Sequence, residues 1–500
     1  MAARSMVDIL PSELLDLISS YCDHASQKSL RHVCRIFHDA ATPQVFDNFY
    51  TAMFDDCLNN LCRLAKSRLA KNVMKFTFYA DVLPKWNRAA WEENVVHYPE
   101  TPWYHHSYDA SRPISEWTRP NQSSVDEHCC PFSEPSRMNI AWDEFQSLRR
   151  EQRKWCGDAT RLIFMEGFAM LPNLMEVSIS TTKSFQGPTS QWPVWKRLQE
   201  RMLVSPDDWI CMSKYSKEMS RSRVCRHGTL ILMEAIGSRS SFARTRHIDR
   251  LSLHYSHIGA LGVGAFADQA WQPGLQDRKR AELIEEVFSD LSELSLRVPP
   301  HPASDIYDDS AASTASEIAG FLSRAQRLRR LELDYGSGFF LLDASSRDDV
   351  AKRLLGATFS PHIAHLSLNL DVSHMDLLDL LKQLSLTLPS LELRDMIVAD
   401  VPALLLHMPK VVELRHVYVE KLWHETIDPD PGHEDAYIRL LSGGTDVQEP
   451  LELAVKSYLL GKRNELPMFK SRTTGQPLPT KVLHDQNYAY LDIASRTLLS

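Results

Sequence analysis

The chain lacks any apolar run of 18 residues and any Arg-rich start followed by a short apolar stretch. The first absence argues against a membrane-spanning helix, the second against a secretory leader. It also lacks a positive excess: 56 Lys and Arg stand against 64 Asp and Glu, for a net charge of -8. Nucleic acid, which needs a basic face to displace counterions, is therefore not an expected partner. Two local basic runs, Arg149-Arg150-Glu151-Gln152-Arg153-Lys154 and Arg327-Leu328-Arg329-Arg330, are interrupted by acids or leucines and read as solvated helix faces. Cysteine is missing beyond Cys225, and the nine present are odd in number. Such thiols suit a reducing compartment, so an intracellular protein, cytoplasmic or nuclear, is expected.

Signatures of chemistry are missing too. There is no Gly-x-Ser-x-Gly elbow, no His-Glu-x-x-His and no phosphate loop ending in Gly-Lys-Ser/Thr. Gly259, Gly262 and Gly264 stand in the wrong order for a dinucleotide turn, and Gly461-Lys462-Arg463 lacks the upstream Gly and the hydroxyl. His128-Cys129-Cys130, with His105, His106 and Cys156 nearby, is the one cluster with metal-ligating chemistry. Vicinal cysteines reach one zinc ion poorly, whereas structural sites use Cys-x-x-Cys or similar pairs. No catalytic residue, metal or cofactor is expected.

What is present begins at the start of the chain. Five hundred residues, 43% hydrophobic, can bury a large core in two to four domains. Pro11 suits the first turn of a helix, and Leu14, Leu17, Ile18 and Tyr21 follow at i, i+3, i+4, i+7, which predicts a core-facing stripe. Leu10, Leu15 and Cys22 lie off that stripe, so the helix is apolar over more of its circumference than a surface helix needs. A second pattern of Leu30, Val33, Cys34, Phe37 and Ala41 predicts another helix ending near Pro43. Two such helices are too few residues to fold comfortably alone, so burial against a partner is a natural remedy.

These residues, Leu10-Pro11-x-Glu13-Leu14-Leu15-x-x-Ile18 and then Leu30-x-x-Val33-Cys34-Arg35-x-Phe37, resemble the F-box. In that family the module docks substrate receptors on the Skp-family adaptor of cullin-RING ubiquitin ligases. The family often has Leu after the Ser-Tyr and Trp near the Arg, where Cys22 and Phe37 stand here. The resemblance implies adaptor contacts at Leu10, Pro11, Leu14, Leu15, Ile18, Val33 and Phe37.

Further along, 51–70 continues as a helix in this reading, with Phe54, Cys57, Leu58, Leu61, Leu64 and Ala65 on one side, and 73–79 alternates as a strand. Nine of the eleven tryptophans then fall within 84–209. They are read as glue between an irregular insertion and the body, the alternative being an aromatic binding surface. Residues 101–135 read as a long loop and 142–155 as a helix.

From residue 174 onward a short signature recurs, apolar-x-x-apolar-x-apolar. It fits 174–179, 248–253, 291–296, 328–333 and 363–368, and the segments 391–398 and 412–419 match each other. Positions 251, 294, 331, 366, 391 and 412 are spaced by 43, 37, 35, 25 and 21, of which the last two fall in the leucine-rich-repeat range of roughly 20–29. Helical stripes fill the longer intervals: Ile284, Val287, Phe288, Leu291; then Ile318, Phe321, Leu322, Ala325; then Leu377, Leu380, Leu381, Leu384. Strand, helix, strand in repetition forces parallel strands. The prediction is an α/β protein: a helical module over 1–50, a linker helix over 51–72, an irregular solenoid or horseshoe over 73–425, and helices with a mobile loop over 426–500. Residues 299–315 read as an insertion loop, and 437–441 and 450–460 as short helices.

The array resembles the leucine-rich-repeat region of fungal F-box proteins, and Leu422-Trp423-His424-Glu425 resembles their Trp-containing segment without its preceding Gly. That resemblance implies a non-catalytic receptor subunit binding the adaptor, through it a cullin, and an unknown protein target. A scaffold without ligase assembly is the alternative. If the leucines of each pair point inward, the residues between and after them form the opposite face. Target contacts are expected there, at His254, Arg297, Glu332, Asp334, Asn369, Arg394 and Arg415, together with Ser252, Ser295, Ser367, Glu392 and Glu413.

Overall fold

The computed structural model describes residues 10–80, 83, 85–95, 135–155, 158–180, 198, 201–202, 223–239, 245–254, 275–297, 308–334, 344–398, 400–425, 437–439 and 451–462. The chain forms two compact units, one of Met1–Met170 with Ser180–Ile231, the other of Leu171–Ile179 with Leu232–Ser500.

The first unit opens with three helices, α1 (Ser12–Tyr21), α2 (His24–Leu30) and α3 (Arg35–Val45). Asp23 caps α2 by accepting from Ser26 N at 2.7 Å, which satisfies one of the donors left open at a helix start. Two helices were expected; the second pattern is divided at 31–34, and α3 runs past Pro43. A short strand β1 (Asn48–Ala52) follows, its last two residues lying where the helix over 51–70 was expected to begin. Helix α4 (Asp55–Ala65) does bury Cys57, Leu58, Leu61, Leu64 and Ala65, and a 3-10 turn (Arg68–Asn72) leads to β2 (Lys75–Tyr79), parallel to β1.

An aromatic core holds this unit. Trp86 and Trp91 of the region before and within α5 (Arg88–Val95) are buried with Phe145 of α6 (Pro135–Lys154). Trp86 stacks on Phe145 at 5.7 Å, and Trp91 Nε1 donates to Met202 O at 3.2 Å, so the polar edge of the ring is satisfied inside. These described tryptophans act as glue, as expected. The basic run of α6 is only partly solvated: Gln152 is buried, its Oε1 accepting from Leu83 N at 2.8 Å. Helix α7 (Asp158–Ala169) comes close to α4 at Gly167, where a Cβ would stand 3.2 Å from the Leu61 side chain.

The second unit carries the repeated strands: β3 (Glu176–Ser180), β4 (Arg250–His254), β5 (Glu293–Arg297), β6 (Arg330–Asp334), β7 (His365–Asn369), β8 (Asp371–Val372), β9 (Ser390–Val398), β10 (His416–Glu425) and β11 (Tyr437–Arg439). Their order is β3-β4-β5-β6-β7-β9-β10-β11, with β8 on β9. From β4 to β10 the pairs are parallel, and β11 is antiparallel to β10. The connecting helices include α8 (Arg223–Ser238), of which 232–238 belong to this unit, α9 (Leu275–Asp290), α10 (Asp308–Arg324), α11 (Ala344–Leu355), α12 (His374–Gln383) and α13 (Val401–Val411), and α14 (Leu451–Leu459) follows β11. Helical connections of this length are what parallel neighbours require.

Register is uniform. Leu251, Leu294, Leu331, Leu366 and Leu391 pair in sequence, and Leu253, Leu296, Leu333, Leu368 and Leu393 form a second row. All ten are buried. One backbone device recurs at the strand entries: Asp249 O accepts from both Ser292 N and Glu293 N, Ser292 O from Arg329 N and Arg330 N, and Arg329 O from Ala364 N and His365 N, all at 2.7–3.1 Å. Each new strand is thereby hung on the carbonyl just before the previous one.

Four other expectations are corrected. Residues 308–315 belong to α10 and not to a loop, 437–439 are a strand and not a helix, and 422–425 lie within β10 and not after it. The last leucine-type strand starts at His416, so Leu391 partners Val417, not Val412. The expected loop over 101–135 falls almost wholly outside the described residues, as does the mobile loop beyond 462.

Because Leu366 is fully buried between two leucine neighbours, Leu366→Ala should lose about 2–5 kcal/mol of unfolding free energy through transfer and cavity terms. Leu386→Ala, at a residue 97 % exposed, should stay within about 0.5 kcal/mol. Equilibrium denaturation of both variants checks this, and equal losses would contradict the burial pattern.

Candidate functional site

Two surfaces carry the residues singled out above, one in each unit. On the N-terminal helices, the inward side of α1 is Leu15 and Ser19, both buried. Polar bonds lock it there: Gln44 Nε2 donates to Asp16 O at 2.9 Å and Gln27 Nε2 to Ser19 O at 3.1 Å. Arg31 lies over the Phe46 ring at 4.9 Å and donates to Thr42 Oγ1. The stripe expected to face the core does the opposite. Leu14, Leu17, Ile18 and Tyr21 are exposed, from 41 % at Ile18 to 83 % at Tyr21, with Leu10 beside them. A helix with two adjacent apolar sectors can bury either one; here the second, anchored by Ser19 and its bonded carbonyl, is the one covered.

Among the expected adaptor contacts, Leu10, Pro11, Leu14, Ile18 and Val33 are thus at the surface and Phe37 is half-buried. Leu15 is corrected: it is 4 % exposed and packs inside the module, so it supports the surface without forming it.

The second surface is the polar face of the parallel strands. Strand alternation puts residues two apart on one side, so His254, Arg297, Asp334 and Asn369 form one row and Ser252, Ser295, Glu332, Ser367, Glu392 and Tyr418 another. The structure brings His254, Arg297, Glu332, Asp334, Asn369 and Arg394 together on this face as expected. Arg415 is corrected, and Glu413 with it: both precede β10, the Arg415 amide donating to Pro389 O at 2.8 Å. Their places are taken by Tyr418 and Glu420, which pair with Glu392 and Arg394. The motif Val417-Tyr418-Val419 carried that signal, but Val412-Glu413-Leu414 offered the same alternation one helix-end earlier.

The face is largely paired with itself. His254 Nε2 is 2.9 Å from Ser295 Oγ, which donates to Glu332 at 3.1 Å. Asn369 Nδ2 donates to Asp334 Oδ1 at 2.9 Å, and Ser367 Oγ to Glu392 at 3.4 Å. Arg297 Nε stands 2.6 Å from Asp334 Oδ2, but its N–H is not aimed at that oxygen, so the contact is an ion pair more than a hydrogen bond. Arg394 pairs with Glu392 and lies 5.6 Å from the Tyr418 ring centre, and Tyr418 Oη donates to Glu420 at 3.0 Å. Tyr418 is 47 % exposed, a large apolar group that this face offers to solvent.

Burial first, then the charge of Arg297, pulls the pKa of His254 down to about 4, against a smaller opposing pull from Glu332. His365 is lowered as well, chiefly by burial and then by Arg330. Its 3.5 Å approach to Glu392 is therefore not a salt bridge at neutral pH. Both imidazoles are neutral there and serve as hydrogen-bonding groups.

Among the described residues no group of three His, Cys, Asp or Glu could hold a metal, and the His128-Cys129-Cys130 cluster lies outside them, as do Gly259, Gly262 and Gly264. No described helix is long and apolar enough to cross a membrane. No family model matches the chain and no curated protein matches it.

The shift of His254 has a sign. The unfolded imidazole takes a proton below about pH 6.5 while the folded one stays neutral to about pH 4, so stability is lost as pH falls through that window. The slope from this group is at most about 1.4 kcal/mol per pH unit. A His254→Gln variant lacks it, so the stability gap between parent and variant should shrink between about pH 6.5 and pH 5. Chemical denaturation across that range checks the expectation; a gap that is constant or widens would contradict it.

Proposed function

We propose that this chain is the substrate-recognition subunit of an SCF-type cullin-RING ubiquitin ligase. In this reading the N-terminal module is an F-box that binds the Skp-family adaptor, and through it a cullin. The strands of the second unit form a leucine-rich-repeat array whose polar face takes a protein target. Bond making and breaking then occur on other subunits, and this chain contributes proximity.

The observation that carries the reading is the exposure of Leu10, Leu14, Ile18 and Val33, large apolar side chains at the positions where the F-box resemblance implies adaptor contact. Covering one such side chain is worth roughly 1.5–3 kcal/mol, so these four exposed side chains, with Leu17 and Tyr21 exposed as well, favour a stable partner. Support for the target face comes from its composition. It mixes both charge signs and ends in an Arg394 and Tyr418 pair, residue types that dominate binding energy in protein interfaces.

The test is adaptor affinity of a Leu14→Glu, Ile18→Glu double variant, both changes being at exposed positions that leave Leu15 and Ser19 in place. Affinity should fall by about 100-fold or more, with circular dichroism unchanged. A folded double variant that binds the adaptor like the parent would reject the reading in favour of a scaffold that assembles no ligase.

A further inference from the structure

The polar face of the second unit changes character between β6 and β10. Besides the two rows described above, the strand entries add a third, in which Arg250, Glu293, Arg330, His365, Ser390 and His416 stand at equal height. The run Arg327-Leu328-Arg329-Arg330, expected as a solvated helix face, leads instead into β6, where Arg330 is the first residue and is exposed. Its neighbour on β5, Glu293, is held by Arg250 at 3.2 Å. Burial first, then the charge of Arg330, lowers the pKa of His365 on the next strand, and Arg330 outweighs either opposing carboxylate, Glu392 or Glu332. This end of the face is therefore positive.

The other end reverses the sign. On β10, Tyr418 is 47 % exposed and its Oη donates to Glu420 at 3.0 Å. Arg394 lies 5.6 Å from the ring centre and pairs with Glu392, so these three charged groups carry one carboxylate in excess. A ring beside a carboxylate favours a cation. Between the two ends the surface is low: Ser367 and Ser390 are short, and His365 is held by its 2.9 Å contact with Ser390 Oγ. The segments that enter these four strands, 325–334, 356–369, 383–394 and 411–420, are all among the described residues, and none of them covers Arg330 or Tyr418.

Register sets the distance between the ends. The strands run β6-β7-β9-β10 as neighbours, with Arg330 level with Ser390 and His416 and Tyr418 two residues further on. Three spacings of about 4.8 Å and one step of about 6.6 Å give roughly 16 Å on the diagonal. We propose that this face takes an extended peptide segment of the target, lying from β6 to β10, with an acidic residue at Arg330 and, about five residues away, a Lys or Arg against Tyr418 and Glu420. The proposal rests on the reading of the polar face as the target surface, and on nothing in the N-terminal module.

Panning a display library of random peptides about 12 residues long, more than twice the span needed, on the full chain tests it. Enriched sequences should carry Asp or Glu about five positions from Lys or Arg, and a synthetic peptide with that pair should bind saturably in fluorescence anisotropy. Changing its acid to the amide should cost the parent about two- to fivefold in affinity and cost Arg330→Gln nothing. Changing its base to Gln should weaken binding to the parent by a similar factor, and to Glu420→Gln by less. The Leu14→Glu, Ile18→Glu double variant should bind the peptide like the parent, which separates this result from adaptor docking. No enrichment, or peptide preferences that are the same in parent and variants, would overturn the proposal. An enriched motif without the charge pair, yet weakened by Tyr418→Ala, would overturn it as well while leaving the polar face as the target surface.

Discussion

The second unit depends on one backbone constraint, the carbonyl just before each strand that accepts two amides at the entry of the next. Asp249, Ser292 and Arg329 do this in turn, and Pro389 does it for Arg415 and His416. Two donors on one acceptor leave the incoming strand no freedom to slip. A slip of one residue would turn every side chain to the wrong face, so a pinned entry is what lets the leucines of successive strands meet at equal height. Met74 and Lys75 make the same pair of bonds to Asp47 O between the two strands of the first unit.

Uniform register has a consequence for the polar face. Residues that flank the leucines must also meet their counterparts at equal height, and like charges directly opposite would be destabilising. The chain avoids this by alternating. Arg250 faces Glu293, Glu293 faces Arg330, and Arg297 faces Asp334. Serines separate the acids: Ser295 lies beside Glu332, Ser367 between Glu332 and Glu392. These bonds fix the side chains of the face in place, which lowers the ordering entropy that any association there would cost.

Much of this was legible because the strand signal has period two and the repeats share it. The ten leucines of the two rows and the polar positions from His254 to Asn369 follow from the apolar-x-apolar pattern alone. The register of the last strand did not, because Val412-Glu413-Leu414 mimics the pattern while Pro389 O captures the chain three residues later, and a backbone bond of that kind leaves no trace in composition. On α1 the periodicity identified an apolar stripe but not its destination. Leu14, Leu17, Ile18 and Tyr21 form a regular helical face, yet the packing of α3 and the Gln27 and Gln44 side chains selects the neighbouring sector of Leu15 and Ser19.

The central claim is that the apolar face left open on α1 is covered by a partner while the leucine rows of the second unit are already complete. Hydrogen–deuterium exchange of the full chain, with and without the Skp-family adaptor, addresses it most directly. The account predicts slowed exchange over residues 10–21 and around Val33 on adding the adaptor, with the amides of β5, β6 and β7 unchanged. Exchange at the N-terminal helices that is the same in both samples, or protection confined to the strands of the second unit, would contradict it.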